Sequence, residues 1–128
     1  MVAQQLVPTP DGKGRMLTMK QPVGPCYAIT PWNFPAAMIT RKIGPALAAG
    51  NTIVLKTSVL TPGTSLIFAE AATAAGFPPG VINIITGDGR EAGERLVSHP
   101  DVVMSSFTGS TQVGRRIMEL AAAKGARV

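Results

Sequence analysis

The chain has 128 residues, 45% of them hydrophobic and 15% charged, with one cysteine and a net charge of +5. That composition excludes a disordered chain or a disulfide-stapled scaffold and fits one folded domain with a buried core. The basic residues are scattered from Lys13 to Arg127, adjacent only at Arg41-Lys42 and Arg115-Arg116, and few aromatics accompany them. The charge therefore points to an anionic small ligand before nucleic acid.

Residues 1–22 read as an arm. Two extended segments, "QQLVP" and "RMLTMKQPV", flank an Asp11-Gly12 turn, the pattern of a β-hairpin. A lone hairpin is marginal in water, so the arm is expected to pack on something else, such as a second chain.

From residue 25 short apolar runs recur at 26–30, 52–56, 81–85 and 102–107. They are continuous rather than alternating, which suits strands buried on both faces of a parallel sheet. The stretch 35–49 has Ile39, Ile43 and Leu47 at helical spacing with Pro45 inside, predicting a kinked or broken helix. Thr61 and Pro62 mark the start of a second helix, which Gly76 and Pro78-Pro79 end. A short helix follows Gly89 through Ala92 and Leu96. A last one begins at Ser110, with Val113, Ile117 and Leu120 on one face and Gly125 as its stop. About four strand–helix units predict an α/β fold: an open, doubly wound, mainly parallel sheet of Rossmann type, preceded by the hairpin arm. Ligands of such sheets bind beyond the C-terminal strand ends.

Several residues fall at those ends. "TGDGREAG" (86–93) and "FTGSTQVG" (107–114) place glycines where a strand turns into a helix. Such turns either serve chain reversal alone or let backbone N–H groups approach a phosphate. Lys56 is either a solvated strand end or a partner for a ribose or phosphate. Asn33, beside the sole tryptophan Trp32, is either a turn residue or an amide donor to a developing oxyanion. Cys26 lies inside a strand run and reads as a small buried hydrophobe rather than a thiolate. His99 has no metal-ligand partner at suitable spacing, and no metal site is expected.

In order along the chain, "PVGPCYAITPWNFP", "KIGPALAAGNTIVLK", "AGFPPGVINIITG" and "FTGSTQVGRRI" resemble the successive signatures of the NAD(P)-dependent aldehyde dehydrogenases, closest to the succinate-semialdehyde dehydrogenase branch. The resemblance covers residues 20–128. It implies an enzyme that oxidises an aldehyde to the acid through a cysteine thiohemiacetal, with a small-molecule aldehyde as substrate and NADP or NAD as cofactor. Asn33 then corresponds to the oxyanion donor. Ile29, Thr30, Pro31 and Trp32 line the cofactor cleft, and Lys56 meets the adenosine ribose or its 2′-phosphate. Gly109 and Ser110 approach the pyrophosphate, while Phe107, Gly89 and Gly93 shape the floor and the adenine side. Val59 stands where NAD-preferring members often carry a glutamate, which favours NADP, with Arg90 as a possible further phosphate partner.

The family's catalytic cysteine and general-base glutamate lie downstream of the segment resembling "FTGST", and no cysteine follows Cys26. The resemblance thus implies a hairpin arm of the oligomerisation type over 1–22 and a partial NAD(P)-binding domain over 23–128, inactive alone. A stand-alone nucleotide-binding module is the alternative. Neither a leader-like segment nor an apolar run of the ~20 residues a membrane span needs is present. A cytoplasmic homo-oligomer, without nucleic-acid or membrane partners, is expected.

Overall fold

The structure, a computed structural model, describes residues 5–128; the first four residues of the expected arm lie outside it. Strand β1 (Gln5–Pro8) pairs antiparallel with β2 (Arg15–Thr18), from Gln5 opposite Thr18 to Pro8 opposite Arg15. Thr9 holds the turn: its N–H donates to Gly14 O at 3.0 Å, and its hydroxyl oxygen accepts from Gly14 N–H at 2.8 Å. Every residue of both strands is exposed, leaving Leu6, Val7, Met16 and Leu17 in solvent.

The rest is a layered α/β unit. In chain order it runs β3 (Cys26–Ile29), α1 (Pro35–Ala48), β4 (Ile53–Lys56), α2 (Pro62–Ala74) and β5 (Ile82–Ile85). A π-helical turn, Gly89–Glu94, follows and continues as α3 (Arg95–Val97), then β6 (Met104–Phe107) and α4 (Thr111–Ala122). The four strands are all parallel, in the order β5-β4-β3-β6. The chain steps outward from β3 to β5, then returns across the sheet to lay β6 on the other side of β3. That reversal makes a topological switch point between β3 and β6.

Side-chain alternation distributes the core over both faces. Cys26 and Ala28, with Ile53 and Leu55, pack under α1 and α2 against Ile39, Ile43 and Phe68. Tyr27 points the other way, into Val97, Val102, Ile117 and Ala121. Burying Ile39 or Leu55 fully is worth about 2 kcal/mol each.

Helix α1 runs unbroken through Pro45, where a kink or break was expected. The proline sits one turn from the helix end, so its missing N–H costs a single hydrogen bond. The following residues close the helix through Gly50 N–H to Leu47 O and Asn51 N–H to Ala46 O, both 2.9 Å. Gly76 ends α2 in the same way, at φ +79°. Ser110 caps α4, accepting from Val113 N–H at 3.4 Å. Thr61 precedes Pro62 as expected, but its buried hydroxyl makes no capping bond.

Asn51 fastens the start of β3 to the end of α1. Its Oδ1 accepts from Val23 N–H and Gly24 N–H at 2.7 and 3.1 Å, and its Nδ2 donates to Ala46 O at 3.2 Å. At the outer edge of β6, Arg127 forms a parallel bridge with Met104, and Ser105 N–H donates to Arg127 O at 2.8 Å.

Candidate functional site

Two hollows open at the C-terminal strand ends, on either side of the loops that leave them. The larger, about 610 Å³, is lined by Ile29 from β3, Lys56 from β4, the turn residues Asp88, Gly89, Arg90, Gly93 and Glu94, and Gln112, Val113, Arg116 and Ile117 on α4. The smaller, about 410 Å³, sits at the switch point. Pro31, Trp32 and Asn33 form one side of it, and Thr108, Gly109 and Ser110 the other.

The residues singled out from the sequence thus separate into two groups. Ile29, Lys56, Gly89 and Gly93 line the larger cleft; Pro31, Trp32, Asn33, Gly109 and Ser110 line the smaller. Three others line neither. Thr30 is buried, and its N–H donates to Lys56 O at 3.1 Å, tying the ends of β3 and β4 together. Phe107 packs into the core beneath Gly109 and Gly114. Val59 stands exposed in the loop after β4.

Lys56 is not the solvated strand end that an isolated lysine suggests: it is 6% exposed. Its Nζ donates to Thr57 O at 3.3 Å. Burial lowers its pKa, and the Asp88 carboxylate opposes that shift. Asp88 itself caps the π-helical turn, accepting from Arg90 N–H at 2.7 Å, and these backbone donors hold its pKa below the ordinary value, with Lys56 adding to the effect. A cation deprived of water in the wall of a cleft is disposed to receive an anionic oxygen.

The cleft also has a bare floor. A Cβ built on Gly89 or Gly93 meets nothing within 4 Å, so side chains there would fill open space that glycine leaves free. Backbone surface, a desolvated cation and the apolar Ile29 and Val113 fit a ligand with both phosphates and flat rings. A nicotinamide dinucleotide has that chemistry.

Asn33 is exposed, and its amide makes no hydrogen bond among the described residues. The next residue, Phe34, takes φ +49°, ψ +51°, a left-handed conformation uncommon outside glycine and costing of order 1–3 kcal/mol. This strained corner sits immediately before α1, and nothing in the spacing of "PWNFP" announces it. Cys26 opens β3 while Asn33 follows its far end. Three residues of strand separate Cys26 from Ile29 alone, about 10 Å. The thiol is buried, and burial raises its pKa, so it belongs to the core and not to the site.

The ion pair between Glu94 and Arg116 is a feature that sequence reading missed. Arg116 Nη2 and Nε donate to Glu94 Oε2 at 2.8 and 3.1 Å, joining the turn to α4 across the cleft. The guanidinium holds the Glu94 carboxyl below the ordinary carboxylate range.

Compared with known proteins, residues 1–128 match the model of the aldehyde dehydrogenase family. The chain is 53% identical over 117 residues to the mitochondrial succinate-semialdehyde dehydrogenase of Arabidopsis thaliana, covering 91% of this chain and 22% of the relative. It is 54% identical over 113 residues to the NADP(+) succinate-semialdehyde dehydrogenase of Escherichia coli (strain K12), covering 88% and 23%. The NAD+ complex of an aldehyde dehydrogenase from Bacillus cereus superposes with a TM-score of 0.90 at 42% identity, over 98% of this chain and 25% of that one. The chain therefore spans about a quarter or less of these proteins' length.

Proposed function

The chain belongs to the aldehyde dehydrogenase family, and from that premise we propose that its larger cleft binds NAD(P) as part of an enzyme oxidising an aldehyde, in the semialdehyde class, to the carboxylic acid. The observation that carries this reading is the glycine-floored cleft at the strand ends, with the desolvated Lys56 in its wall. In it Lys56 holds the adenosine ribose, and Gly89 and Gly93 give room on the adenine side; the cofactor then runs on into the smaller hollow, where Gly109 and Ser110 meet the pyrophosphate at the start of α4. Pro31 and Trp32 lie toward the nicotinamide end, where the bound cofactor supplies the hydride acceptor.

Asn33 offers an unengaged amide beside that end, and its Nδ2 is the donor for the oxyanion formed when a thiolate adds to the aldehyde carbonyl. Such a donor is worth about 3 kcal/mol in the transition state. Cys26 does not supply the thiolate, being buried at the opposite end of β3. No other cysteine occurs in these 128 residues to supply it. Loss of hydride from that adduct to the nicotinamide of a bound NAD(P)+ would leave a thioester, and its hydrolysis by water would release the acid and restore the thiol.

NADP is the favoured cofactor, since Val59 offers neither an acceptor for a 2′-hydroxyl nor a charge that repels a 2′-phosphate, and Arg90 lines the cleft without an ion pair among the described residues. The exposed apolar hairpin 5–18 favours self-association, because a two-stranded ribbon gains stability by pairing with another chain. Among the described residues no helix is long and apolar enough to cross a membrane. A single buried thiol goes with a reducing compartment such as the cytoplasm.

Titration with NADP+ and NAD+, followed by the fluorescence of Trp32, tests the cofactor reading. Saturable quenching, tighter for NADP+, is the expected result. A folded chain whose emission and heat of mixing respond to neither nucleotide removes the reading.

A further inference from the structure

Tyr27 stands inside β3, fully buried, with its ring among Val97, Val102, Ile117 and Ala121. Its hydroxyl crosses to the turn after β5 and donates to Ala92 O at 3.4 Å. That turn supplies Gly89, Arg90, Gly93 and Glu94 to the larger cleft, which Tyr27 itself does not line. The turn is π-helical over Gly89–Glu94, a rare winding that recurs at functional sites. Asp88 O accepts from Ala92 N–H at 3.1 Å and from Gly93 N–H at 3.4 Å, so one carbonyl is shared between an α-type and a π-type bond. A turn poised between two windings is set by whatever else holds it.

At its start the exposed Asp88 accepts from Arg90 N–H at 2.7 Å, and at its end Glu94 meets Arg116 at 2.8 Å. Tyr27 holds the middle from the buried side, with a ring that the core fixes in place. A hydrogen bond in that setting is stronger than the same bond in water. This one is long for an O–H donor and has room to shorten when a ligand presses on the turn. We propose that Tyr27 is a positioning residue for the cleft: through Ala92 O, its hydroxyl sets the winding of the turn and so the places at which Gly89 and Arg90 meet the cofactor. The inference rests on the NAD(P) reading of the cleft.

Tyr27 is the one tyrosine of the chain, so incorporation of fluorotyrosine labels this position alone. Fluorine NMR of the labelled protein, titrated with NADP+ and NAD+, is expected to show a resonance that shifts saturably where calorimetry records binding, although Tyr27 does not line the cleft. Tyr27→Phe keeps the ring and loses the hydroxyl. It is expected to fold, to weaken both nucleotides about three- to tenfold, and to speed amide exchange at Ala92 and Gly93 while Ile117 exchanges as in wild type. A resonance unmoved at saturation, full affinity in Tyr27→Phe, or exchange that rises equally at Ile117 assigns Tyr27 to core packing alone and overturns the proposal. The fluorine titration, made on the wild-type sequence, decides the question if Tyr27→Phe does not fold. A wild-type protein that binds neither nucleotide removes the NAD(P) reading and the proposal with it, a result distinct from wild-type binding that leaves the resonance and the variant's affinity unchanged.

Discussion

The ring of Phe107 occupies the space where a side chain on Gly109 would be: a Cβ there would stand 2.5 Å from Phe107 Cζ and 3.0 Å from Cε2. Gly109 has no left-handed backbone to account for its lack of a side chain; the packing of the ring does. Phe107 cannot move away freely, because it packs against the core on the Tyr27 face of the sheet. Gly109→Ala is therefore expected to cost about 1–3 kcal/mol by overpacking. Adding Phe107→Leu to Gly109→Ala should recover part of that loss in urea unfolding. Strictly additive losses in the double variant would show that the two positions do not compete for the same space.

The Asn51 side chain makes three hydrogen bonds: two accepted from the N–H groups of Val23 and Gly24, 28 and 27 residues away, and one donated to Ala46 O five residues back. Asn51→Ala leaves those two donors without their partner in a partly buried position and is expected to cost about 3 kcal/mol. Asn51→Asp keeps the acceptor and loses only the donation to Ala46 O, so it should cost less. Urea midpoints that rank the two variants in the opposite order would contradict this account.

The parts visible in the sequence were those that depend on local chemistry. Buried parallel strands are continuous apolar runs, so "CYAIT" and "TIVLK" locate β3 and β4, and Pro62, Gly76 and Ser110 punctuate the helices for reasons internal to each. The strand order has no local signature, since it follows from how crossovers pack, and with it the switch point that sets Asn33 opposite Ser110 was hidden. Lys56 reads from its own strand as either a solvated end or a partner for a ribose or phosphate, because its burial comes from neighbours supplied by other units. Glu94 and Arg116 stand 22 residues apart, and each alone reads as an ordinary charge on a helix. Pro45 misled in the other direction: a proline rule for helix interiors weakens within a turn of the C-terminus.

Tyr27 is fully buried, and its hydroxyl reaches only Ala92 O, at 3.4 Å. Burial pushes the phenol well above its ordinary value of 10.0. A raised folded-state pKa means that the unfolded chain ionises first, so below pH ~10 both states hold the proton and Tyr27 adds no pH dependence. Above it, the unfolded state is stabilised by up to ~1.4 kcal/mol per pH unit until the folded-state value is reached. Tyr27→Phe removes this loss. The difference in unfolding free energy between wild type and Tyr27→Phe should be constant from pH 7 to 9 and turn against wild type above pH ~10. A flat difference through that range would show that the phenol titrates alike in both states.

Val59 offers the most direct handle on cofactor choice. It is exposed, lies three residues past Lys56, and lines neither hollow, so a carboxylate there strains nothing in the core. If the adenosine ribose lies against Lys56, Val59→Glu places an acceptor within reach of the 2′-hydroxyl and a negative charge near any 2′-phosphate. The expected outcome is a loss of NADP+ affinity of about tenfold or more, with NAD+ held or improved, since like charges juxtaposed at a site carry a penalty of several kcal/mol before screening. Raising the salt should narrow the gap, because the repulsion acts near solvent. Val59→Gln separates the two effects: it provides hydrogen-bonding capacity without charge, and should spare NADP+. Equal weakening of both cofactors by Val59→Glu would mean that the ribose lies elsewhere in the cleft, and the place assigned to Lys56 would fall with it.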